Sequence, residues 1–299
     1  MPPSPAPILP VPPPWDLKCT IYIIPFYTTA STARQLPAKA FHPLEAASPF
    51  ASPAFGVPVG GLSMMQLIRY TDTPVGPYDE LILAPGYFEY PLADDDAAGG
   101  GGKKRKATGK NLRITRIYVS QEKTAWNGRT NWNLPKHLAR FEWNDRPDGS
   151  TTIAVFPHDV GTPYAPAEAQ PASGRPWFRC TIRPVGYLPA FPMSTEVMRW
   201  VGIDAALVQP PLPQGEGAKG ELVGTERWCK VEGFRESSSR SRAVWVDMDQ
   251  GEEGEGEGRE EGGRFFFPGL RRWNLAVKME GGDVYFPEGK YWETPKGAV

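Results

Sequence analysis

The stretch GRTNWNLPKHLARFEW, residues 128–143, carries one lysine, Lys136, between a proline and a histidine. Asparagine is a good helix N-cap and proline is favoured in a first helical turn. The order Asn133-Leu134-Pro135 therefore predicts a helix starting here, with Lys136 and His137 in its first turn. Leu138 and Phe141, three apart, would share its buried face. Unpaired N–H groups at such a helix start disfavour a cation by about 0.3–1 kcal/mol, and burial acts in the same direction. Both favour the uncharged amine that attacks a carbonyl to form a Schiff base. The plainer reading is an exposed lysine beside a helix start, with His137 a surface or capping group.

Outward from this stretch the chain reads as strands. DLKCTIYIIPFY (16–27), GGLSMMQLIRY (60–70) and YDELILAPGYFEY (78–90) are rich in β-branched and aromatic residues. In the last of these, Leu81 and Leu83 alternate with Ile82 and Ala84, so both faces are expected to be covered. NLRITRIYVS (111–120), TTIAVFPHD (151–159) and PWFRCTIRPV (176–185) extend the pattern. So do TERWCKVEGF (225–234) and SRAVWVDMD (241–249), the latter two placed around a serine-rich turn. RRWNLAVKMEGGDVYFP reads as two strands around a Gly-Gly turn. MSTEVMRWVG (193–202) reads as a short helix or a loop, and proline-broken residues 40–56 as loops with a helical turn. Glycine-rich GVPVGG (56–61) matches no phosphate loop, and strands do not alternate with helices as in a doubly wound sheet.

Composition narrows the function. The 299 residues hold 33 basic and 34 acidic side chains, a net charge of −1, without the basic excess of a general nucleic-acid binder. Three cysteines without CxxC spacing, together with three histidines, argue against structural zinc and for a reducing compartment such as the cytoplasm. MPPSPAPILPVPPPW lacks a basic leader and reads as an extended, flexible proline-rich arm over 1–14 ahead of one domain, 15–299. No run of 18 apolar residues predicts a membrane span. Low-complexity tracts near 94–110, including KKRK at 103–106, and near 250–263 read as solvated insertions. KKRK has a second reading, as a nuclear address or nucleic-acid patch.

One further pattern bears on fold and chemistry. GPYDEL at 76–81, the pair Gly128-Arg129, and Pro135-Lys136 stand in fixed relation, the pair eight and seven residues before the lysine. In this the chain resembles the acetoacetate decarboxylase-like superfamily, and its GPYDELIL and NWNLPKHLARF stretches are similar to those of fungal members. The resemblance runs from about Trp15 to Pro295. It implies a mixed, β-rich cone or double barrel with few short helices, and assembly into homo-oligomers. It also implies a keto acid or ketone as small-molecule partner and no cofactor, because the imine is itself the electron sink.

Residue by residue, the resemblance makes Lys136 the imine-forming lysine, Glu80 a pocket glutamate that positions substrate or moves protons, and Arg129 the arginine of the Gly-Arg pair. His137 stands where the known enzymes have a second lysine, and Leu134 where they have a pocket tyrosine. A second glutamate, fifteen residues before the first, would fall at Met65, whose nearest polar neighbour is Gln66. The arginine that receives the substrate carboxylate has only Lys18 as a nearby counterpart. The expected function is a Schiff-base lyase of decarboxylase type. The alternatives are a non-catalytic small-molecule binder on the same scaffold, or an imine-dependent dehydratase, aldolase or cyclase of secondary metabolism. A nuclear interaction protein using the charged insertions is the reading from a different class.

Overall fold

A computed structural model describes residues 7–36, 40–51, 56–92, 108–157, 176, 178–200, 204–217, 219–248 and 273–294. The charged tracts 94–107 and 250–263 lie outside these residues, so the readings of KKRK and of the acidic repeat are not addressed by them.

In chain order the first strands are β1 (Trp15–Thr28), β2 (Pro58–Asp72), β3 (Tyr78–Ala84), β4 (Tyr87–Pro91) and β5 (Thr108–Leu112). Next come β6 (Arg116–Val119), β7 (Lys136–Asp145), β8 (Thr151–Pro157), β9 (Phe178–Pro184) and β10 (Phe191–Ser194). The last are β11 (Leu207–Gln209), β12 (Trp228–Val231), β13 (Arg235–Asp247), β14 (Leu275–Phe286) and β15 (Lys290–Trp292). The helices are short: α1 (Ala30–Ala33), α2 (Pro43–Ala46), α3 (Glu122–Trp132) and α4 (Thr195–Trp200).

Nine strands, in the order β1-β14-β13-β9-β8-β7-β6-β3-β2, form a closed barrel, because β2 pairs back onto β1. Closure removes the exposed edges that a nine-stranded open sheet would leave. Its neighbours are antiparallel except β6 and β7, which run parallel. A parallel pair needs a crossover between its strands, and α3 is that crossover. Strands β4, β5, β11, β12 and β15 form a smaller sheet attached to the start of β2.

Two cores follow from the two faces of the barrel strands. Tyr22, Ile24 and Phe26 of β1 join Met65, Leu67, Leu81, Leu83, Ile153, Phe178 and Val244 in a core to which all nine barrel strands contribute. The alternate residues of β1, from Trp15 to Ile23, join Ile68, Tyr70, Ile82, Ile117, Trp132 and Val231 in a second core beneath α3 and the smaller sheet. Period-2 side-chain alternation thus loads both faces of β1, β2 and β3 with apolar residues, as the 78–84 pattern predicts.

Several local expectations are corrected. The helix in the opening stretch lies before Asn133, not after it, and Leu138 and Phe141 belong to strand β7. Residues 111–120 are not one strand but the end of β5 and all of β6, in different sheets. The serine-rich segment is no turn. Ser237, Ser238 and Ser241 lie inside β13 and pair with β10, while the Ser238 hydroxyl donates to Glu280 O at 2.6 Å. Gly281-Gly282 does not make a hairpin either: β14 runs through it, with Gly281 at φ 54 and a register shift opposite Cys19 and Ile21. Ahead of β1, the Val11 amide donates to Asn127 Oδ1 at 2.7 Å, and Asn131 Nδ2 donates to Val11 O at 2.8 Å, fastening residues 9–11 along α3.

Candidate active site

Lys136 is the first residue of β7, reached through a sharp stop at the end of α3. Asn133 adopts the left-handed conformation at φ 55, and its amide donates to Arg129 O at 3.0 Å. The next amide, of Leu134, donates to Gly128 O at 3.1 Å. Pro135 has no N–H to continue a helix. The lysine therefore follows a helix C-terminus, and the N-terminal dipole expected to favour its neutral form does not act on it.

The stem of Lys136 lies directly against α3. A Cβ added at Gly128 would come within 2.7 Å of Lys136 Cδ and 2.8 Å of Cε, so the glycine is the groove in which the stem runs. Gly128→Ala is accordingly expected to displace the amine. Stability should stay within about 1 kcal/mol, because alanine is the better helix former by a similar amount. Urea unfolding alongside amine-trapping yields separates the two effects.

The amine is buried, and its Nζ lies 2.6 Å from Glu80 Oε2 and donates to Thr124 Oγ1 at 3.0 Å. The Tyr78 ring centroid is 5.1 Å from it, in cation–π range. Glu80 reaches this point because β3 pairs with both β2 and β6. Its cross-strand partners are Ile68 and Val119, and Ile117, next on that face of β6, is the partner of Lys136. The Tyr70 hydroxyl donates to Glu80 Oε1 at 3.3 Å, and the rings of Tyr70 and Tyr78 are 4.5 Å apart. Burial, with the Glu80 charge adding to it, pushes both phenols well above their ordinary range, so they stay neutral. The arrangement is a lysine amine with a carboxylate in hydrogen-bond reach and a neutral phenol behind that carboxylate. Such a set can move a proton off the amine and keep it close.

His137 does not join this group. Adjacent strand residues point to opposite faces, and His137 Nε2 lies 2.7 Å from Glu45 Oε2 on the other side of β7. Arg129 belongs there too. Its NH1 donates to Glu45 Oε1 at 2.9 Å and to Lys136 O at 3.5 Å, its Nε to Val223 O at 2.8 Å and its NH2 to Pro213 O at 2.8 Å. The guanidinium ties α3 to α2 and to the loop before β12, rather than offering a free face to substrate. Burial opposes the Glu45 charge, but His137 and Arg129 outweigh it and hold that carboxyl well below its usual range.

Among the described residues, His42, Glu45 and His137 bring three possible metal-ligand atoms within 4.8 Å. The two imidazoles, however, are stacked with centroids 3.3 Å apart and planes at 15°. Their in-plane lone pairs cannot converge on one ion, and Arg129 already occupies Glu45. The cluster is a hydrogen-bonded ion pair.

Burial lowers His42 to about 3 from its ordinary 6.5. A histidine held below its unfolded value stabilises the fold above pH 6.5 and loses that contribution as pH falls toward 3. At pH 5 the loss is about 2 kcal/mol. His42 Nδ1 also caps α2 by accepting from Leu44 N at 3.2 Å. His42→Asn keeps a capping side chain and removes the titration, so the drop in urea midpoint between pH 8 and pH 5 should shrink.

Of the remaining sequence candidates, Met65 faces the nine-strand core, opposite to the lysine. Leu134 is buried in the second core. Lys18 is exposed and paired with Asp283. Gln66 lies on the Glu80 side of β2, and its Nε2 donates to Glu236 Oε2 at 3.1 Å. Glu236, a buried residue of β13, was missed because its segment reads as a serine-rich turn. Thr124, Tyr70 and Tyr78 were also missed. The signal available for the tyrosines was parity: Tyr78 and Glu80 are two apart on one strand and must share a face.

No family model matches the chain, and no curated protein does. Among solved structures, acetoacetate decarboxylase from Legionella pneumophila superposes with a TM-score of 0.50 at 12% identity, over 94% of this chain and 88% of that one. A second acetoacetate decarboxylase structure gives 0.49 at 13% identity, over 94% and 90%. The enduracididine biosynthesis enzyme MppR, complexed with the condensation product of pyruvate and imidazole 4-carboxaldehyde, gives 0.47 at 13%, over 95% and 91%. With its nine-stranded barrel and few short helices, the chain has the acetoacetate decarboxylase-like fold.

Proposed function

We propose that the protein is a Schiff-base-forming lyase, decarboxylase-like, acting on a ketone or β-keto acid through Lys136. The observation that carries this reading is the buried Lys136 Nζ at 2.6 Å from Glu80 Oε2. Glu80 accepts a proton from the ammonium, and the freed amine attacks the substrate carbonyl to give a carbinolamine. Loss of water leaves a protonated imine. In a β-keto acid the bond to the carboxylate then breaks, and its electron pair flows to the imine nitrogen. CO2 leaves, the enamine takes a proton at carbon, and water releases the ketone. The fungal subtype and a cytoplasmic setting rest on the sequence resemblance and composition alone.

A second reading keeps the imine but forms the enamine by proton loss, as in aldol, dehydration or cyclisation chemistry. It is favoured by what surrounds the amine. Lys18, the counterpart of the arginine that receives a substrate carboxylate, is paired with Asp283, and the buried Arg129 is spent on Glu45 and three carbonyls. Borohydride reduction in the presence of acetoacetate or acetone, followed by peptide mapping, tests both readings. A mass adduct on Lys136 supports imine chemistry, and no adduct with either ligand between pH 6 and 9 overturns it. Release of CO2 from acetoacetate separates the first reading from the second.

A further inference from the structure

We infer that Glu236 is the second acid of the Lys136 site, a carboxyl that donates a proton to the leaving hydroxyl and then, as carboxylate, takes the substrate's α-proton. The inference rests on the imine reading above and deepens it.

Glu236 is only 3% exposed, and its cross-strand partner on β14 is Val284 of the second core. It therefore points into the same core as Tyr70, Tyr78 and Ile117. Two groups hold it: Gln66 Nε2 donates to Oε2 at 3.1 Å, and the Glu236 amide donates to Thr195 Oγ1 of α4 at 3.0 Å. Gln66 is opposite Ile82, one residue pair along the face from Ile68 and Glu80.

The groups that sense Glu236 come from the surrounding strands: Glu80 on β3, Tyr70 and Gln66 on β2, and Cys19 on β1. Gln66 and Tyr70 stand on one face of β2 with Ile68 between them, Gln66 donating to Glu236 and Tyr70 to Glu80, so the two carboxyls flank one patch. Asp283 on β14 adds to the negative field at Cys19. Among the described residues no cation pairs with Glu236. Burial raises its carboxyl to about 7, against the pull of the Gln66 hydrogen bond and with Glu80 adding to the rise. Two carboxyls are thus placed differently, one paired with the amine and one held by a neutral amide, which is how one site supplies both an acid and a base.

The steps balance. Glu236–COOH protonates the carbinolamine hydroxyl while the C–O bond breaks and the nitrogen lone pair forms the imine. Water and a carboxylate result. That carboxylate removes an α-proton, the C–H electrons become the C=C bond, the imine π electrons return to nitrogen, and Glu236–COOH is restored.

The test is exchange of acetone's methyl hydrogens in D2O, followed by proton NMR from pH 5 to 9, with borohydride trapping of acetone on Lys136 run in parallel. Glu236→Gln should keep the Lys136 adduct, slow exchange by about 100-fold or more, and abolish the inflection near pH 7. Glu236→Asp should regain part of the rate with an inflection. Should Glu236→Gln not fold, Gln66→Met serves instead. Loss of the amide donor should move the inflection to higher pH, because that bond favours the charged form. An intact adduct with unchanged exchange and an unmoved inflection overturns the assignment of Glu236 alone. Absence of any wild-type adduct removes the imine reading and this inference with it.

Discussion

Lys136→Met is expected to give no borohydride adduct at any pH and to cost about 3–5 kcal/mol of stability, the usual result of deleting one member of a buried ion pair. The cost arises on the partner that remains. Glu80 would keep one hydrogen bond, from Tyr70 at 3.3 Å, in a site where its side chain is 4% exposed. The test for this origin is a second substitution. Glu80→Gln added to Lys136→Met removes the stranded charge and should return most of the lost stability, measured from urea midpoints at constant slope. It should not return the adduct. If the double variant is as unstable as the single one, the loss comes from packing of the lysine stem in the Gly128 groove and not from the carboxylate.

Arg129→Met is the second large effect, and it falls on stability rather than chemistry. The guanidinium is fully buried and satisfies Glu45 and three backbone carbonyls, one of them that of Lys136. Its removal takes the permanent cation away from buried Glu45 and leaves Val223 O, Pro213 O and Lys136 O without this donor. A loss of about 3–5 kcal/mol is expected. Where the variant remains folded, at low temperature or with a stabilising osmolyte, the amine should still be trapped at Lys136 within a fewfold of the wild-type yield. A folded variant that yields no adduct would instead place Arg129 in the substrate's path.

The strands were legible because β-branched and aromatic runs report burial on a pleated surface, and that signal is strong in 16–27 and 78–84. The pairing of Lys136 with Glu80 was not legible from periodicity. It depends on β3 lying beside β6, and on a parallel crossover that brings β7 next to β6, both non-local facts. The helix was misplaced for a local reason. Asparagine caps helix starts and is also the side chain best able to replace glycine in the left-handed conformation at helix ends. Proline is favoured both in a first turn and just after a last one. Asn133-Leu134-Pro135 satisfies both grammars, and the surroundings decide. Asn133 Nδ2 donates to Pro210 O at 3.0 Å and to Arg227 O at 2.5 Å, contacts far away in sequence. Reading 136 and 137 as helix neighbours put lysine and histidine in one site, whereas a strand sends them to different cores. The same parity places Met65 away from the site and Gln66 toward it. Glu236 was hidden because a run of serines resembles a turn unless its bonds to β10 and β14 are known.

Asn127, which receives the Val11 amide and donates to Leu9 O at 3.2 Å, immediately precedes the glycine that cradles the lysine stem. Leu9 and Val11 are therefore tied to the helix turn against which the Lys136 stem lies, some 125 positions downstream. A cut between Leu9 and Trp15 is expected to lower the trapping yield at Lys136 while leaving every residue beside the amine unchanged in sequence.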